Sequence, residues 1–191
     1  LWAVRSAGID PASGREVFIK KDGTQTFKFD YDDEVVVGNT EPKYEGVIGT
    51  SFYYKGFSVS VNLRYRWGGQ IFMNTLYNKV ENISEWALKN NQDKRALYDR
   101  WQKPGDVAKF KAISLTETTP ISSRFVKDEN TLSGESISIG YETQAAALKK
   151  YGISSLTVRG YMNDIFRIST VKDERGLDYP FARSVSFSLG L

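Results

Sequence analysis

The chain has 191 residues, 40% hydrophobic and 14% aromatic, enough apolar material to fold; its 26 Lys and Arg against 23 Asp and Glu leave a net charge of +3, which gives no support for a nucleic-acid partner. Histidine and cysteine are both absent, which removes disulfides, thiolate metal sites and the commonest general base. A mechanism on paired carboxylates survives that filter, but Asp and Glu are scattered through loop segments, so the chain reads as a non-enzyme with no catalytic residue, metal or cofactor.

Residues 1–43 are rich in turn signals. Asp10-Pro11, Ser13-Gly14 and Asp22-Gly23 separate short β-rich pieces such as Glu16 to Ile19, which predicts loop material with small ribbons of its own. The acidic run Asp30, Asp32, Asp33 and Glu34 lacks the glycine and terminal Glu of a calcium loop, and it reads as a solvated acidic turn.

From Tyr44 the pattern changes. Phe57, Val59, Val61, Leu63, Tyr65 and Trp67 alternate with Ser58, Ser60, Asn62, Arg64 and Arg66, and a period of two places the first set on one face of a strand and the second on the other. Eleven residues is long for a globular strand and sufficient to cross a bilayer at a tilt. Tyr44 to Tyr54 carries a weaker version of the rule, with Ile48, Phe52 and Tyr54 on one face. Phe52, Tyr54 and Phe57 beside the turn Tyr54-Lys55-Gly56-Phe57, with Tyr65 and Trp67 at the far end, are spaced as two interfacial girdles.

Residues 68–132 form a connection far beyond the roughly 12–15 residues that compact soluble domains tolerate without structure of their own. The spacing of Trp86, Leu88, Ala96, Leu97 and Trp101 predicts a helix over Ser84–Trp101, with Ser84 as N-cap and Pro104-Gly105 as its stop. Over 133–191 the alternation returns in three segments: Ile137, Ile139 and Tyr141; Leu156, Val158 and Met162; and Val185, Phe187, Leu189 and Leu191. The connections there run moderately short (Glu142 to Tyr151) and then longer (Asp164 to Phe181).

A soluble half-buried sheet also alternates, so periodicity alone leaves water and lipid both open. Short turns at one rim and long loops at the other are the asymmetry of outer-membrane barrels, with long loops outside the cell and the C-terminus periplasmic. The lack of any run near 20 apolar residues excludes a membrane-spanning helix, and the mean hydropathy of −0.42 fits a soluble protein and spanning strands about equally well. The organisation expected is an external loop region (1–43), a wall hairpin (44–67), a long external loop with a helix (68–132) and C-terminal wall strands (133–191). The polar faces then point Arg64, Arg66 and Arg159 into the lumen. Trp86, Tyr98 and Trp101 are the loop residues for partner or ligand contact.

An ordered series of motifs spans nearly the whole chain. Ala7-Gly8-Ile9-Asp10-Pro11 is followed by Gly38-Asn39-Thr40-Glu41-Pro42-Lys43-Tyr44, then Arg100-Trp101-Gln102-Lys103-Pro104-Gly105-Asp106, Ser122-Ser123-Arg124-Phe125-Val126-Lys127-Asp128, Gly152 through Phe166, and Tyr179-Pro180-Phe181-Ala182-Arg183. In that order they resemble the C-terminal region of SusC/RagA-type TonB-linked outer-membrane proteins. Two departures stand out: Leu132–Tyr141 lacks the family's usual asparagine, and the chain stops at Leu191, which predicts a last strand that is only partly covered.

The resemblance implies an all-β, antiparallel transmembrane β-barrel fragment, about five strands of a barrel of roughly 22. It implies import of a large nutrient, a glycan or a peptide, across the Gram-negative outer membrane. The implied partners are the plug and remaining strands of the same transporter, a SusD-like surface lipoprotein, TonB and outer-membrane lipid. The alternative left by the residues alone is a soluble all-β carbohydrate- or protein-binding module.

Overall fold

The computed structural model describes residues 1–114, 117–171 and 184–190. The chain divides into two compact units: Leu1–Glu41 with Gly69–Asp128, and Pro42–Gly68 with Glu129–Leu191.

In the first unit the N-terminal segment is more regular than its turn-rich sequence suggests. Strands β1 (Trp2–Ile9), β2 (Glu16–Ile19), β3 (Gln25–Thr26) and β4 (Glu34–Val36) form an antiparallel sheet in the order β3-β2-β1-β4. Its turns are held by short acidic side chains bonding their own backbone. Asp10 accepts from the amides of Ala12 and Ser13 and from the Ser13 hydroxyl, the last being the main reason its carboxyl sits below the usual range. In the acidic run, Asp30 accepts from the Asp32 amide and Asp33 from the Lys21 amide, both at 3.0 Å. These carboxylates cap backbone; among the described residues no group of three or more Asp, Glu, His or Cys is placed to hold a metal ion.

The helix expected over Ser84–Trp101 does not form. In its place are a 3-10 turn (Trp86–Lys89) and the single helical turn α1 (Arg95–Tyr98), preceded in the chain by a π turn (Leu76–Glu81). The break falls at Asn90-Asn91-Gln92-Asp93, where polar side chains compete for backbone partners: Gln92 Nε2 donates to the carbonyls of Ala87 and Asn90, and Asp93 accepts from the Arg95 amide. These short turns pack Val80, Ile83, Ala96, Phe110 and Phe125 into a core, with Phe72 tilted against Phe125 at 5.9 Å and Tyr77 edge-on to it at 5.3 Å.

The second unit is a five-stranded antiparallel sheet in sequence order: β5 (Tyr44–Tyr54), β6 (Phe57–Phe72), β7 (Val126–Thr143), β8 (Leu156–Ser169) and β9 (Val185–Gly190). A short helix, α2 (Ala146–Lys149), lies between β7 and β8. Pairing of β5 with β6 runs without a slip from Tyr44↔Trp67 to Tyr54↔Phe57. The strands are longer than the alternation marks: β6 continues past Trp67, β7 starts ahead of residue 133, and Asp164 to Ser169, expected as connection, is strand. Each misread end coincides with a local break in period two. Gly68 takes φ +79°, Asp164 takes φ +50°, and the β7–β8 register shifts between Gly134 and Ser136. Leu191, the motif Tyr179–Arg183 and most of the connection ahead of β9 lie outside the described residues.

Candidate functional site

Strand pairing carries the period-two pattern across the whole sheet. On one face Ile48, Thr50 and Phe52 pair with Leu63, Val61 and Val59, and Ile139, Val158, Phe187 and Leu189 continue the set across β7 to β9. Ile48, Phe52, Ile139, Val158, Phe187 and Leu189 are exposed, Phe52 by 64% and Phe187 by 79%, and Val59, Val61 and Leu63 are half-buried. Aromatic contacts lie at both ends of that face, Phe57 on Tyr141 (4.5 Å) at one and Tyr65 beside Trp67 (5.1 Å) at the other.

The opposite face is a hydrogen-bonded polar surface. Ser60 bonds Ser138 at 2.8 Å and Asn62 Nδ2 donates to Ser136 Oγ at 3.0 Å. Arg64 donates to Glu45 (3.0 Å) and to Glu135, the residue in the register break, while Arg66 Nε lies 3.6 Å from Glu45. The two arginines therefore share one carboxylate; being more than a third exposed, such pairs contribute roughly 0.2–1 kcal/mol each. Arg159 stands apart. It lies against Gly140, where an added Cβ would come within 3.0 Å of its Cγ, and it lines a hollow of about 320 Å³ with Ser51, Ser60 and Ser138; no ion-pair partner is found for it among the described residues.

The first unit is built around two arginines that the sequence reading placed in motifs without assigning them a role. Arg124 binds Glu16 through Nε and Nη2 (3.2 and 2.9 Å) and Glu81 through Nη2 and Nη1 (2.8 and 3.3 Å), and Nη1 also donates to the Lys109 carbonyl. Ser122 and Thr119 hydroxyls complete the two carboxylates. Burial works against the Arg124 charge, and the bonds to Glu16 and Glu81 outweigh it, so its pKa is raised. Arg100, whose pKa burial lowers, donates to four carbonyls, of Val80, Glu81, Ala96 and Lys111, which closes the ends of the short turns. Phe125 lies under the Arg124 guanidinium at 4.5 Å.

Trp101 joins two motif loops. Its Nε1 donates to the Pro11 carbonyl at 2.8 Å, and the same oxygen accepts from the Gly105 amide at 2.8 Å. Gly14, at φ +68°, lies against the indole so closely that an added Cβ would be 2.4 Å from the ring. Both the backbone and the contact therefore require glycine. Gly14→Ala is expected to cost about 1–3 kcal/mol from overpacking and left-handed strain, read as amide exchange at Gly105 accelerated by about 5- to 150-fold. Trp86 and Tyr98 are instead 73% and 75% exposed.

No family model matches the chain. It is 25% identical over 138 residues to the TonB-dependent receptor P39 of Formosa agariphila, covering 70% of this chain and 13% of that protein. Its fold is similar to two solved structures of a RagAB peptide transporter. One, in the "open-open" state, superposes with TM-score 0.74 at 18% identity over 91% of this chain and 19% of the other; the second with TM-score 0.75 at 16% identity over 99% and 22%. The chain thus spans about a fifth or less of the proteins it matches. These similarities bear out the resemblance to SusC/RagA-type TonB-linked proteins read from the motifs.

Proposed function

We propose that the chain forms part of the wall and the external loops of a TonB-dependent transporter in the Gram-negative outer membrane, and that it has no enzymatic role. The observation that carries this reading is the two-faced sheet: one face exposes a continuous set of aliphatic and aromatic side chains while the other is stitched by Ser, Asn, Arg and Glu contacts. An apolar patch of that extent is foreign to a monomer in water and suited to lipid on one side and a wet lumen on the other. The β5–β6 hairpin has the matching height. Eleven residues at ~3.3 Å per residue, tilted by about 45°, rise about 25 Å, the height of the apolar band of such barrels.

In this reading five strands close only with the rest of the transporter, since open edges are not tolerated in hydrocarbon. Arg64, Arg66 and Arg159 face the lumen and the plug, the turn Lys55-Gly56 is periplasmic, and the first unit is extracellular. The cargo is a large nutrient, a peptide or a glycan, taken up with a SusD-like surface lipoprotein and with TonB supplying the force. The full-length gene product should be extracted from membranes only by detergent and should show the heat-modifiable gel mobility of a folded barrel; a detergent-free soluble protein would end this reading. The exposed Trp86 and Tyr98 are assigned to the lipoprotein contact. Exposed aromatics of this kind are typical anchors, so Trp86→Ala with Tyr98→Ala should weaken co-purification of the lipoprotein by about tenfold or more without changing heat-modifiability.

A further inference from the structure

Among the described residues, the end of the sheet that carries the tight turn holds three lysines without an ion-pair partner beside a single carboxylate, that of Glu142. Glu142 donates its amide to the Gly56 carbonyl at 2.8 Å, which seats the end of β7 against the β5–β6 turn. Lys55 in that turn and Lys149 and Lys150 in the connection beyond Glu142 thereby belong to one rim. All three are exposed, and none has an ion-pair partner among the described residues. At the other end of the strands, by contrast, Arg64 and Arg66 meet Glu45, and Arg167 meets Glu129.

The charge of Lys55 is also on the apolar side. Lys55 Nζ lies 5.2 Å from the centroid of the Tyr54 ring, and Tyr54 pairs with Phe57 on the exposed apolar face. Phe57 in turn contacts Tyr141 on the next strand, and Tyr151, directly after Lys150, is exposed. A row of aromatic rings at the edge of an apolar face, with the Lys55 ammonium over one of them and Lys149 and Lys150 in the same rim, has the vertical order of a bilayer interface: acyl chain, ring, phosphate. We infer that Lys55, Lys149 and Lys150 bind the headgroup phosphates of anionic phospholipid in the leaflet that surrounds this rim. The inference rests on the outer-membrane reading above and adds a lipid preference to it.

The test uses the full-length transporter reconstituted in bilayers of phosphatidylethanolamine with and without phosphatidylglycerol, comparing the wild type with a Lys55→Gln, Lys149→Gln, Lys150→Gln variant. Native mass spectrometry after mild delipidation counts the retained lipids. The wild type should retain phosphatidylglycerol over phosphatidylethanolamine, less so at high salt. The variant should lose that preference by at least about tenfold, given about fivefold per lysine at an anionic surface. Equal retention by wild type and variant would overturn the inference, as would displacement of phosphatidylglycerol from the wild type by purified lipopolysaccharide, which would assign the rim to the opposite leaflet. A wild type that inserts and stays heat-modifiable but shows no anionic preference defeats only this inference. A wild type that inserts into neither bilayer defeats the barrel reading beneath it.

Discussion

Arg124→Met should cost the loop unit about 3–5 kcal/mol, the usual penalty for removing one member of a buried ion pair. The loss exceeds what a methionine could regain through burial, because Glu16 and Glu81, both buried, would be left facing each other without their shared cation. Arg124→Lys should recover only part of it: a single ammonium cannot bind two carboxylates in the forked geometry that the guanidinium uses here. A triple variant that also carries Glu16→Gln and Glu81→Gln should be more stable than Arg124→Met alone, since the stranded negative charges are then gone. The measurement is hydrogen exchange in the intact protein at the Phe125 and Phe110 amides, which bond the carbonyls of Ser122 and Asp99. Acceleration by roughly a hundredfold or more in Arg124→Met, reduced in the triple variant, is the expected result; unchanged protection would show that the cluster does not hold the unit together.

That cluster also marks the limit of what could be read along the chain. Arg124 stood in plain view in the motif Ser122–Asp128, but its partners lie 43 and 108 positions away, and nothing local in the sequence links Glu16 to Glu81. The wall was more legible because its signal is local. Period two in Phe57–Trp67 assigns every side chain of the hairpin to a face, and the unslipped pairing with Tyr44–Tyr54 carries the assignment across. Where positive φ at Gly68 and Asp164 or the Gly134–Ser136 register shift interrupts the pattern, the alternation stops short of the strand ends. The helix over Ser84–Trp101 failed for the converse reason. Its apolar spacing was adequate, but Asn90 to Asp93 offer the backbone nearer partners than a continued helix would. Of the six candidate side chains, Arg64 and Arg66 meet on Glu45, and Trp101 lies half-buried in the joint between two loops. Its indole donates to Pro11, a contact no periodicity could reveal.

The orientation of the wall can be decided at two adjacent residues. Val61 pairs with Thr50 at the middle of the hairpin and lies on the exposed apolar face, whereas Asn62 pairs with Gly49 and donates to Ser136 on the polar one. Val61→Arg should destabilise the folded barrel by about 2–4 kcal/mol, the cost of a cation at the bilayer midplane. Asn62→Arg should cost about 0.5–1.5 kcal/mol for the lost hydrogen bond, since the absent side chain of Gly49 leaves room and the lumen is wet. A buried protein core would also reject Val61→Arg, so a third variant separates lipid from protein. Tyr44→Arg is on the same apolar face but at the strand end, opposite Trp67, and in a bilayer its cost should fall to about 0–1 kcal/mol because the charge reaches the headgroups. Folding of the full-length protein into phospholipid vesicles, titrated with urea and followed by heat-modifiable mobility, measures all three. A graded series with Val61 worst and Tyr44 nearly neutral is what acyl chains against this face require. Equal penalties at Val61 and Asn62 would mean that the faces have been assigned to the wrong solvents. A penalty at Tyr44 as large as that at Val61 would mean that packed protein rather than lipid covers the valine-rich side.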